Sequence, residues 1–377
     1  MRFWIGFQER QCIGTLDTAR RIRRGRLTLA ECEITTHDLP LSVGLPMNIH
    51  LSQTREHEQE DELVALFEAH IALAKQHRLV ADPHLADLVL ILGRFGHTPH
   101  QVLDHPAYQA VPDRCAVYTE DDTYLPLLPG VYCSARRDQH TRAGRIFSYS
   151  YLSRHGRYRN QFIAQTASPA PAVAAPQMRY LFTFQGSASS RLRERLFKLK
   201  FDREDVLIED TTQRYDHWQD TQPGHRDGQL AYAQAVASSH FVLCPRGAGL
   251  GTFRLFEVMA AGIAPVLLSD HYELPPGPAW DTFLVRVPER EIARLPALLE
   301  PLVASAAERG RQAREAYLEH FAVDREFDRV IELAARSLHH RGPAEAVFRR
   351  QQSTIVLRDR FQRSVRSRLG LLPRVHG

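Results

Sequence analysis

Cysteine is scarce in this chain, and the five that occur exclude two common kinds of protein. Their number is odd and their spacing is not that of a metal site, so neither a disulfide framework nor a cysteine-bound metal is expected. The apolar part of the first ten residues is too short for a signal peptide or a membrane anchor. These features predict a cytoplasmic protein with reduced thiols at Cys12, Cys32, Cys115, Cys133 and Cys244.

A strong charge of one sign is also lacking. The net charge of +4 does not require a nucleic-acid partner, and almost all the basic residues are arginine. The 19 histidines are scattered, without a pair at helical spacing that would indicate a metal site. We therefore expect neither a nucleic acid nor a bound metal.

What the chain does contain is an alternation of strand and helix patterns. Its 377 residues predict two domains, and the alternation predicts parallel sheets. A first strand is expected at Phe3–Phe7, and the Pro- and Ala-rich stretch TASPAPAVAAPQ is either a linker, which we favour, or a surface loop. The predicted division is a first domain at 1–165, a linker at 166–177, a second domain at 178–340, and a C-terminal helix with a basic tail at 341–377.

The most informative stretch is residues 240–270, HFVLCPRGAGLGTFRLFEVMAAGIAPVLLSD. Apolar runs at 241–244 and 264–268 predict two buried strands, and three glycines form a turn after the first of them. Between the strands, Thr252 is suited to begin a helix and Gly262 to end it. This order is typical of a parallel sheet that binds a ligand at its carboxyl edge.

Charged side chains in this stretch stand where a nucleotide diphosphate would need them. A helix N-terminus presents free N–H groups and a positive dipole end, which favours a phosphate beside Gly247. Arg246 adds a planar fork of donors, and Glu257 suits the hydroxyls of a sugar or ribose. Arg254 fits either a contact with the diphosphate or an ion pair with Glu257.

Two neighbouring strand ends extend the candidate site. Gly186 and Ser187 follow a predicted strand and precede a predicted helix, so their loop either approaches the phosphates or is an ordinary turn. Asp270 ends the strand at 264–268 and either faces the ligand or is a turn residue before His271.

The stretch resembles the signature of the exostosin family of glycosyltransferases, glycosyltransferase family 47. The pattern is Pro-Arg-Gly, four residues, Ser or Thr, one residue, Arg, two residues, Glu, and then Gly-x-x-Pro-Val-x-x-Ser-Asp. Weaker pieces, such as Val80-Ala81-Asp82-Pro83 and RYLFTFQGS, extend the resemblance over about residues 79–283. The core pattern is carried by Pro245, Arg246, Gly247, Thr252, Arg254, Glu257, Gly262, Pro265, Val266, Ser269 and Asp270.

The resemblance implies a GT-B-like fold, in which two Rossmann-like domains face a cleft and the last helices cross back onto the first domain. It implies a soluble, bacterial-type enzyme that moves a sugar from a nucleotide-sugar donor to a saccharide acceptor in surface polysaccharide synthesis. The donor would bind to Arg246, Gly247, Thr252, Arg254 and Glu257, together with Gly186, Ser187 and Asp270.

Two absences bear on the mechanism of such an enzyme. No Asp-x-Asp metal clamp occurs, so arginine and the helix dipole are expected to hold the diphosphate without a metal or another cofactor. Many retaining enzymes of this fold carry a second Glu eight residues after the first, but Pro265 stands at that distance from Glu257. Inversion is therefore preferred.

An inverting transfer needs a general base for the acceptor hydroxyl, and the sequence leaves its identity open. Asp121 and Asp122 follow the predicted strand at 115–118, and His97 follows the strand before it. Each of the three is a candidate catalytic residue, and each is alternatively a solvated loop residue. A Gly-Arg-Asp-His stretch that many family members carry between these strands is not found here.

Two other functions fit parts of the same pattern. Gly247, Gly249, Gly251 and Asp270 imitate the fingerprint of a dinucleotide-dependent oxidoreductase, although the third glycine is out of place. A non-catalytic, exostosin-like binding subunit would keep the donor fold and lack the base.

The basic C-terminal segment RDRFQRSVRSRLGLLPRVHG interleaves arginine with large apolar side chains. Such a segment suits the anionic inner face of a membrane, where lipid-linked acceptors lie. It is alternatively a helix that crosses between the domains, followed by a frayed tail.

Overall fold

A computed structural model of the chain shows an α/β structure with two parallel sheets, as the sequence predicts. It describes residues 46–54, 58–93, 102–137, 144–156, 159–166, 178–213 and 225–339, together with Thr354, Leu357 and Phe361. The strand predicted at Phe3–Phe7 and nearly all of the predicted linker lie outside the described residues, and the division into domains at 166–177 stays a prediction.

The first sheet has six parallel strands in the order β2-β1-β3-β4-β5-β6. Its two central strands are buried over their whole length because both faces of the sheet are covered, as is usual for parallel sheets. The strands are β1 (Asn48–Gln53), β2 (Arg78–Leu79), β3 (Leu88–Leu92), β4 (Cys115–Thr119), β5 (Gly130–Tyr132) and β6 (Ile146–Phe147).

The second sheet has five parallel strands in the order β11-β10-β9-β7-β8. Its strands are β7 (Tyr180–Gly186), β8 (Val206–Asp210), β9 (Ser239–Pro245), β10 (Ala264–Leu268) and β11 (Val285–Arg286). Together with their helices, the two sheets form the GT-B-like arrangement.

Helices connect and cover the strands. Those of the first half are α1 (Glu58–Ala74), α2 (Pro106–Ala110) and α3 (Gln161–Thr166). Those that follow are α4 (Arg191–Lys198), α5 (His225–Ala237), α6 (Phe253–Ala261), α7 (Trp280–Phe283), α8 (Leu295–Leu299), α9 (Val303–His320) and α10 (Val323–His339). Short 3-10 helices lie at Pro83–Leu85, Pro112–Arg114, Leu152–His155, Glu289–Arg294 and Glu300–Leu302. None of the helices in the described ranges has the length and apolarity needed to cross a membrane.

Helix α6 begins and ends where the sequence predicts. Its C-terminus is set by Gly262, which has a φ of 73°, and the Gly262 N–H donates to the carbonyl of Met259. Glycine adopts this left-handed conformation without the steric cost of a Cβ. Trp280 is buried, and its indole N–H donates to the carbonyl of Pro275 over 2.8 Å.

The two sheets are joined at several places. A short antiparallel pairing connects Arg136 with Tyr272, and the Arg137 N–H donates to the carbonyl of His271 over 2.9 Å. One hydrophobic cluster also runs through both halves, from Phe67 beside the first sheet to Phe256 on α6. The facing surfaces are therefore held together by backbone pairing and by a shared core.

The last two helices also link the halves. Helix α9 packs on α6 and β10, whereas α10 packs on β3, β4 and β5 of the first sheet. This return of the chain agrees with what the family resemblance implies. A buried ionic cluster anchors α10, because Glu326 accepts hydrogen bonds from Ser150, Arg154 and His155.

Candidate functional site

The second sheet has a switch point between β7 and β9. From β7 the chain runs outward to β8, and it then returns to place β9 on the other side of β7. The loops after these two strands therefore lead away in opposite directions and leave a crevice at the carboxyl edge, which is where ligands bind in open α/β sheets. Gly186 ends β7 and Arg246 follows β9, so two predicted segments of the site flank this crevice.

Arg193, on α4, connects the two loops. Its guanidinium donates to the carbonyl of Ser187 over 3.4 Å, to that of Pro245 over 3.1 Å and to that of Arg246 over 3.2 Å. Ser190 begins the helix, and its hydroxyl accepts from the Arg193 N–H over 3.3 Å. Arg193 therefore lies in the crevice with its side chain held by backbone groups of both loops.

Arg254, in the first turn of α6, lies close to the same place. The guanidinium carbons of Arg254 and Arg193 lie 4.6 Å and 5.5 Å from the centroid of one ring, that of Phe184. Arg254 donates to the carbonyl of Gln185, and its buried Nε has no hydrogen-bond partner among the described residues. A Cβ added at Gly186 would lie 3.2 Å from Arg254 Nη2, so a glycine there leaves room for the guanidinium.

These two arginines place two positive charges side by side in the crevice. Among the described residues, their guanidinium groups donate hydrogen bonds to backbone carbonyls, which are neutral. Burial, and then the nearby charge of Arg254, lower the pKa of Arg193 to about 9, so the Arg193 side chain remains charged at neutral pH. Two partly buried cations side by side repel each other. An anion that binds between them would relieve this repulsion.

Arg246 has a partner that the sequence pattern does not show. Its Nε and Nη2 donate to the two carboxylate oxygens of Glu289 over 2.7 Å and 3.2 Å. Asp270 belongs to the same cluster, because its carboxylate accepts from the Glu289 N–H over 3.0 Å. The charge of Arg246 is therefore largely balanced here, in contrast to Arg193 and Arg254.

Glu257 lies on α6 and accepts a hydrogen bond from the Tyr232 hydroxyl over 3.0 Å. Burial, and then the Glu257 carboxylate, raise the pKa of Tyr232, so that its hydroxyl stays protonated and donates this bond. The second carboxylate oxygen keeps acceptor capacity for a ligand hydroxyl.

Two glycines of the turn after β9 contact the first half of the protein, whereas the glycines of a dinucleotide fingerprint approach a pyrophosphate. A Cβ added at Gly249 would lie 2.5 Å from Oδ1 of Asp122 and 2.5 Å from Oγ of Ser134, and one at Gly251 would collide with the carbonyl of Cys133. These glycines therefore let the turn approach the first half. Gly247 is the one beside the arginines, since a Cβ there would lie 3.5 Å from Arg193 Nη2.

Thr252 occupies the N-cap position of α6 as predicted, but its side chain makes no capping hydrogen bond and is buried. The adjoining Phe253 stacks on Tyr151 of the first half, with the ring centroids 4.4 Å apart. The start of this helix is thus packed against the first half.

The three candidate bases have different surroundings. Asp122 is exposed and lies beside Gly249, so it faces the site from the first half. Asp121 is 7% exposed, and its carboxylate accepts from the Thr123 N–H over 2.9 Å, which ties it to its own turn. His97 lies outside the described residues. The acidic residue before them, Glu120, accepts hydrogen bonds from Tyr118 and from the Ser153 N–H.

Comparison with known proteins shows similarity to exostosins over the middle of the chain. The Exostosin GT47 domain matches residues 131–302. The Exostosin-1 homolog of Caenorhabditis elegans is 30% identical over 164 residues, which make up 39% of this chain and 43% of that protein. Residues 131–302 of this chain therefore form a domain of the Exostosin GT47 type.

Further relatives show the same similarity. Exostosin-1 of Drosophila melanogaster is 30% identical over 157 residues, or 38% of this chain and 20% of that protein. Exostosin-1b of Danio rerio is 29% identical over 140 residues, or 34% of this chain and 19% of that protein. The chain thus spans less than half the length of these exostosins. The domain match contains the residue 240–270 signature, whereas the weaker piece at 80–83 lies outside it.

Two residues of the site were missed in the sequence. Arg193 was not singled out because arginine is abundant in this chain, although its place three residues after the N-cap Ser190 is a weak local signal. Glu289 lies 43 residues from Arg246, and only the fold brings them together. No group of three or more His, Cys, Asp or Glu side chains suited to a metal occurs in the parts of the chain that the structure describes.

Proposed function

We propose that this protein is an inverting glycosyltransferase of the exostosin family that moves a sugar from a nucleotide-sugar donor to a saccharide acceptor in surface polysaccharide synthesis. The observation that carries the proposal is the pair Arg193 and Arg254, two cations held at the switch point of the second sheet with only neutral hydrogen-bond partners in the described structure. A nucleoside diphosphate is an anion that fits this position.

In the proposed reaction, a hydroxyl oxygen of the acceptor forms a bond to the anomeric carbon of the donor sugar. The bond from that carbon to the diphosphate oxygen breaks, and the leaving diphosphate gains negative charge. Arg193 and Arg254 stabilise that charge, and Arg246 joins them when it exchanges Glu289 for the phosphates. Glu257 and Asp270 accept hydrogen bonds from donor hydroxyls.

Asp122 is the best candidate for the base among the three predicted residues. It lies at the carboxyl end of β4 and beside the turn that carries Arg246, so it reaches the site from the side where the acceptor would enter. It would take the proton from the acceptor hydroxyl as the new bond forms. Asp121 is less suited because it is buried in its own turn.

The contacts of the glycine turn argue against a dinucleotide-dependent oxidoreductase. In that fingerprint the glycines approach a pyrophosphate, whereas Gly249 and Gly251 here approach Asp122 and Cys133. A non-catalytic binding subunit is distinguished by experiment, since it would bind the donor and release no nucleoside diphosphate.

Donor binding and turnover are expected to be independent of a divalent metal. Arginine side chains supply the positive charge that a metal would otherwise provide for the leaving group. We expect release of nucleoside diphosphate from a panel of nucleotide sugars to continue at an unchanged rate in excess EDTA. Loss of the activity in EDTA with recovery on addition of Mn²⁺ or Mg²⁺ would contradict this part of the proposal.

We further propose that the C-terminal segment contacts an anionic membrane surface at the inner face of the membrane. Leu357 and Phe361 are helical, lie four residues apart and are 65% and 71% exposed. Residues four apart share a face of a helix, and arginines surround them in the sequence, which is the pattern of an interfacial helix.

Replacing both apolar residues, Leu357→Ser with Phe361→Ser, is expected to reduce cosedimentation with vesicles that contain anionic lipid. Binding by the unchanged chain should also weaken with added salt, because exposed charges are screened beyond about 10 Å at 0.1 M ionic strength. Leu73→Ser, at an apolar side chain that is 83% exposed on α1, is the matched control and should leave sedimentation unchanged. If the full chain does not cosediment with anionic vesicles at low salt, the membrane proposal is wrong.

A further inference from the structure

A groove of about 480 Å³ opens beside the first sheet, away from the arginines of the donor site. One wall is β1 over residues 50–53, and the other is a face of α1 that carries Asp61, Val64, Ala65 and Glu68. The spacing of these four residues places them on one face of the helix. The groove is therefore formed by two regular elements of the fold.

The groove lies at the second switch point of the protein. The chain runs outward from β1 to β2 and then returns to place β3 on the other side of β1. Strand β2 pairs with Asn48 and Ile49, and no other described strand lies beside the carboxyl half of β1 on that side. A switch point at the carboxyl edge is where a second ligand is expected in this kind of sheet.

This edge also faces the reaction site. Asp122, beyond the end of β4, contacts the turn at Gly249, so the carboxyl edges of both sheets meet there. Strand β3 lies between β1 and β4, and two strand spacings amount to about 10 Å. A saccharide chain of a few sugars that ends at Asp122 would reach the groove with a more distant sugar.

The lining of the groove suits a sugar rich in hydroxyl groups. Asp61 Oδ1 accepts a hydrogen bond from Gln53 Nε2 over 2.9 Å, which orients the carboxylate and leaves its second oxygen as an acceptor. His50 is oriented by a 3.1 Å hydrogen bond between its Nδ1 and the carbonyl of Val80. Leu51 and Val64 supply apolar surface for the carbon-bound face of a sugar ring.

The charge of the groove selects among sugars. Among the residues that the structure describes, its lining contains two carboxylates, Asp61 and Glu68, and no arginine or lysine. A uronate or a phosphorylated sugar would meet like charges without a compensating cation, whereas hydroxyl and ammonium groups would donate to the carboxylates. The groove and the arginine crevice are thus opposite in charge, which directs an anionic donor and an uncharged acceptor to different sites.

We propose that this groove is an acceptor subsite that binds an uncharged or amino-bearing sugar two or more units from the reacting end. The proposal rests on the proposed glycosyltransferase function, since it assigns the bound sugar to an acceptor. It makes Asp61 and Glu68 specificity-determining residues for a polysaccharide chain.

A glycan array that presents neutral, amino-bearing and uronate-bearing oligosaccharides to the full chain tests the proposal. The unchanged chain should bind neutral or amino-bearing glycans. Asp61→Asn combined with Glu68→Gln should weaken that binding about tenfold, because hydrogen bonds to charged groups are lost. Glu319→Gln, at an exposed carboxylate on α9, is the matched control and should bind as the unchanged chain does.

Thermal shift with nucleotide sugars, measured on the same proteins, separates this proposal from the proposed function. The double variant should keep the full donor-induced shift. Preferential binding of uronate-bearing glycans, equal glycan binding by the double variant, or no glycan binding by a chain that responds to donors would each overturn the subsite. Glycan binding that the double variant loses, in a chain that no nucleotide sugar stabilises, would support the groove and refute the glycosyltransferase.

Discussion

Replacing Arg193 by alanine is expected to weaken donor binding roughly a hundredfold. The variant removes one of the two cations at the switch point, and a hydrogen bond to a charged group contributes up to about 3 kcal/mol, which corresponds to that factor. Arg254→Ala should have a similar effect. Arg246→Ala should weaken binding less, because Arg246 is already paired with Glu289. Glu257→Gln should also weaken binding less, because glutamine keeps one side-chain acceptor oxygen. Isothermal titration calorimetry with the preferred nucleotide sugar measures all four.

Two further variants separate the role of the Arg193 charge from its role in the structure. Arg193→Lys keeps the positive charge and loses the planar fork, so it should recover only part of the affinity. Arg191→Ala, at an exposed position on the same helix, should bind the donor normally. Unchanged affinity in both Arg193→Ala and Arg254→Ala, with melting temperatures near that of the parent, would remove the basis for placing the diphosphate in this crevice.

Removing the carboxylate of Glu326 is expected to lower the free energy of unfolding by about 3–5 kcal/mol, the usual cost of leaving a buried partner charge unpaired. Glu326 is fully buried and forms an ion pair with Arg154, which is 8% exposed. Loss of the carboxylate would leave the buried charge of Arg154 unpaired. Urea denaturation of Glu326→Ala measures the effect. Asp324→Ala, at an exposed position in the first turn of the same helix, should cost less than about 1 kcal/mol.

The same cluster predicts loss of stability in acid. Burial alone would raise the pKa of Glu326, but Arg154 and then His155 hold it below its ordinary value. Burial, and then Arg154, lower the pKa of His155. Both groups bind protons more readily in the unfolded chain, so the stabilisation is present above the unfolded pKa values and is lost as the pH falls through the folded ones. Glu326→Ala should therefore show a weaker dependence of stability on pH, and an equally steep dependence would contradict this role.

The strands and helices near the site could be predicted from the sequence because local signals mark them. The apolar run at 264–268 is a strand with the same bounds, and α6 ends at Gly262 because only a residue tolerant of positive φ suits that position. The parallel sheets and the returning α10 followed from the alternation of elements and from the family resemblance.

The chemistry of the site could be predicted only in part, because it depends on contacts between distant segments. Arg246 was singled out in the sequence and lies beside the crevice, but its partner Glu289 comes from a 3-10 helix beyond β11. Gly249 and Gly251 imitate part of a dinucleotide fingerprint in the sequence, and the structure shows that they allow close contact with Asp122 and Cys133 of the first half. The role of Arg193 could not be predicted from the sequence, because it depends on the fold that places this side chain between the loops after β7 and β9.

The most direct test of the proposed function is calorimetric titration of nucleotide sugars into the intact chain, followed by assay of nucleoside diphosphate release. The proposed function predicts saturable binding of at least one nucleotide sugar, loss of most of that affinity in Arg193→Ala, and release of nucleoside diphosphate that increases with a saccharide acceptor. Failure of every nucleotide sugar to bind, or oxidation and reduction of a nicotinamide cofactor by the chain, would contradict it.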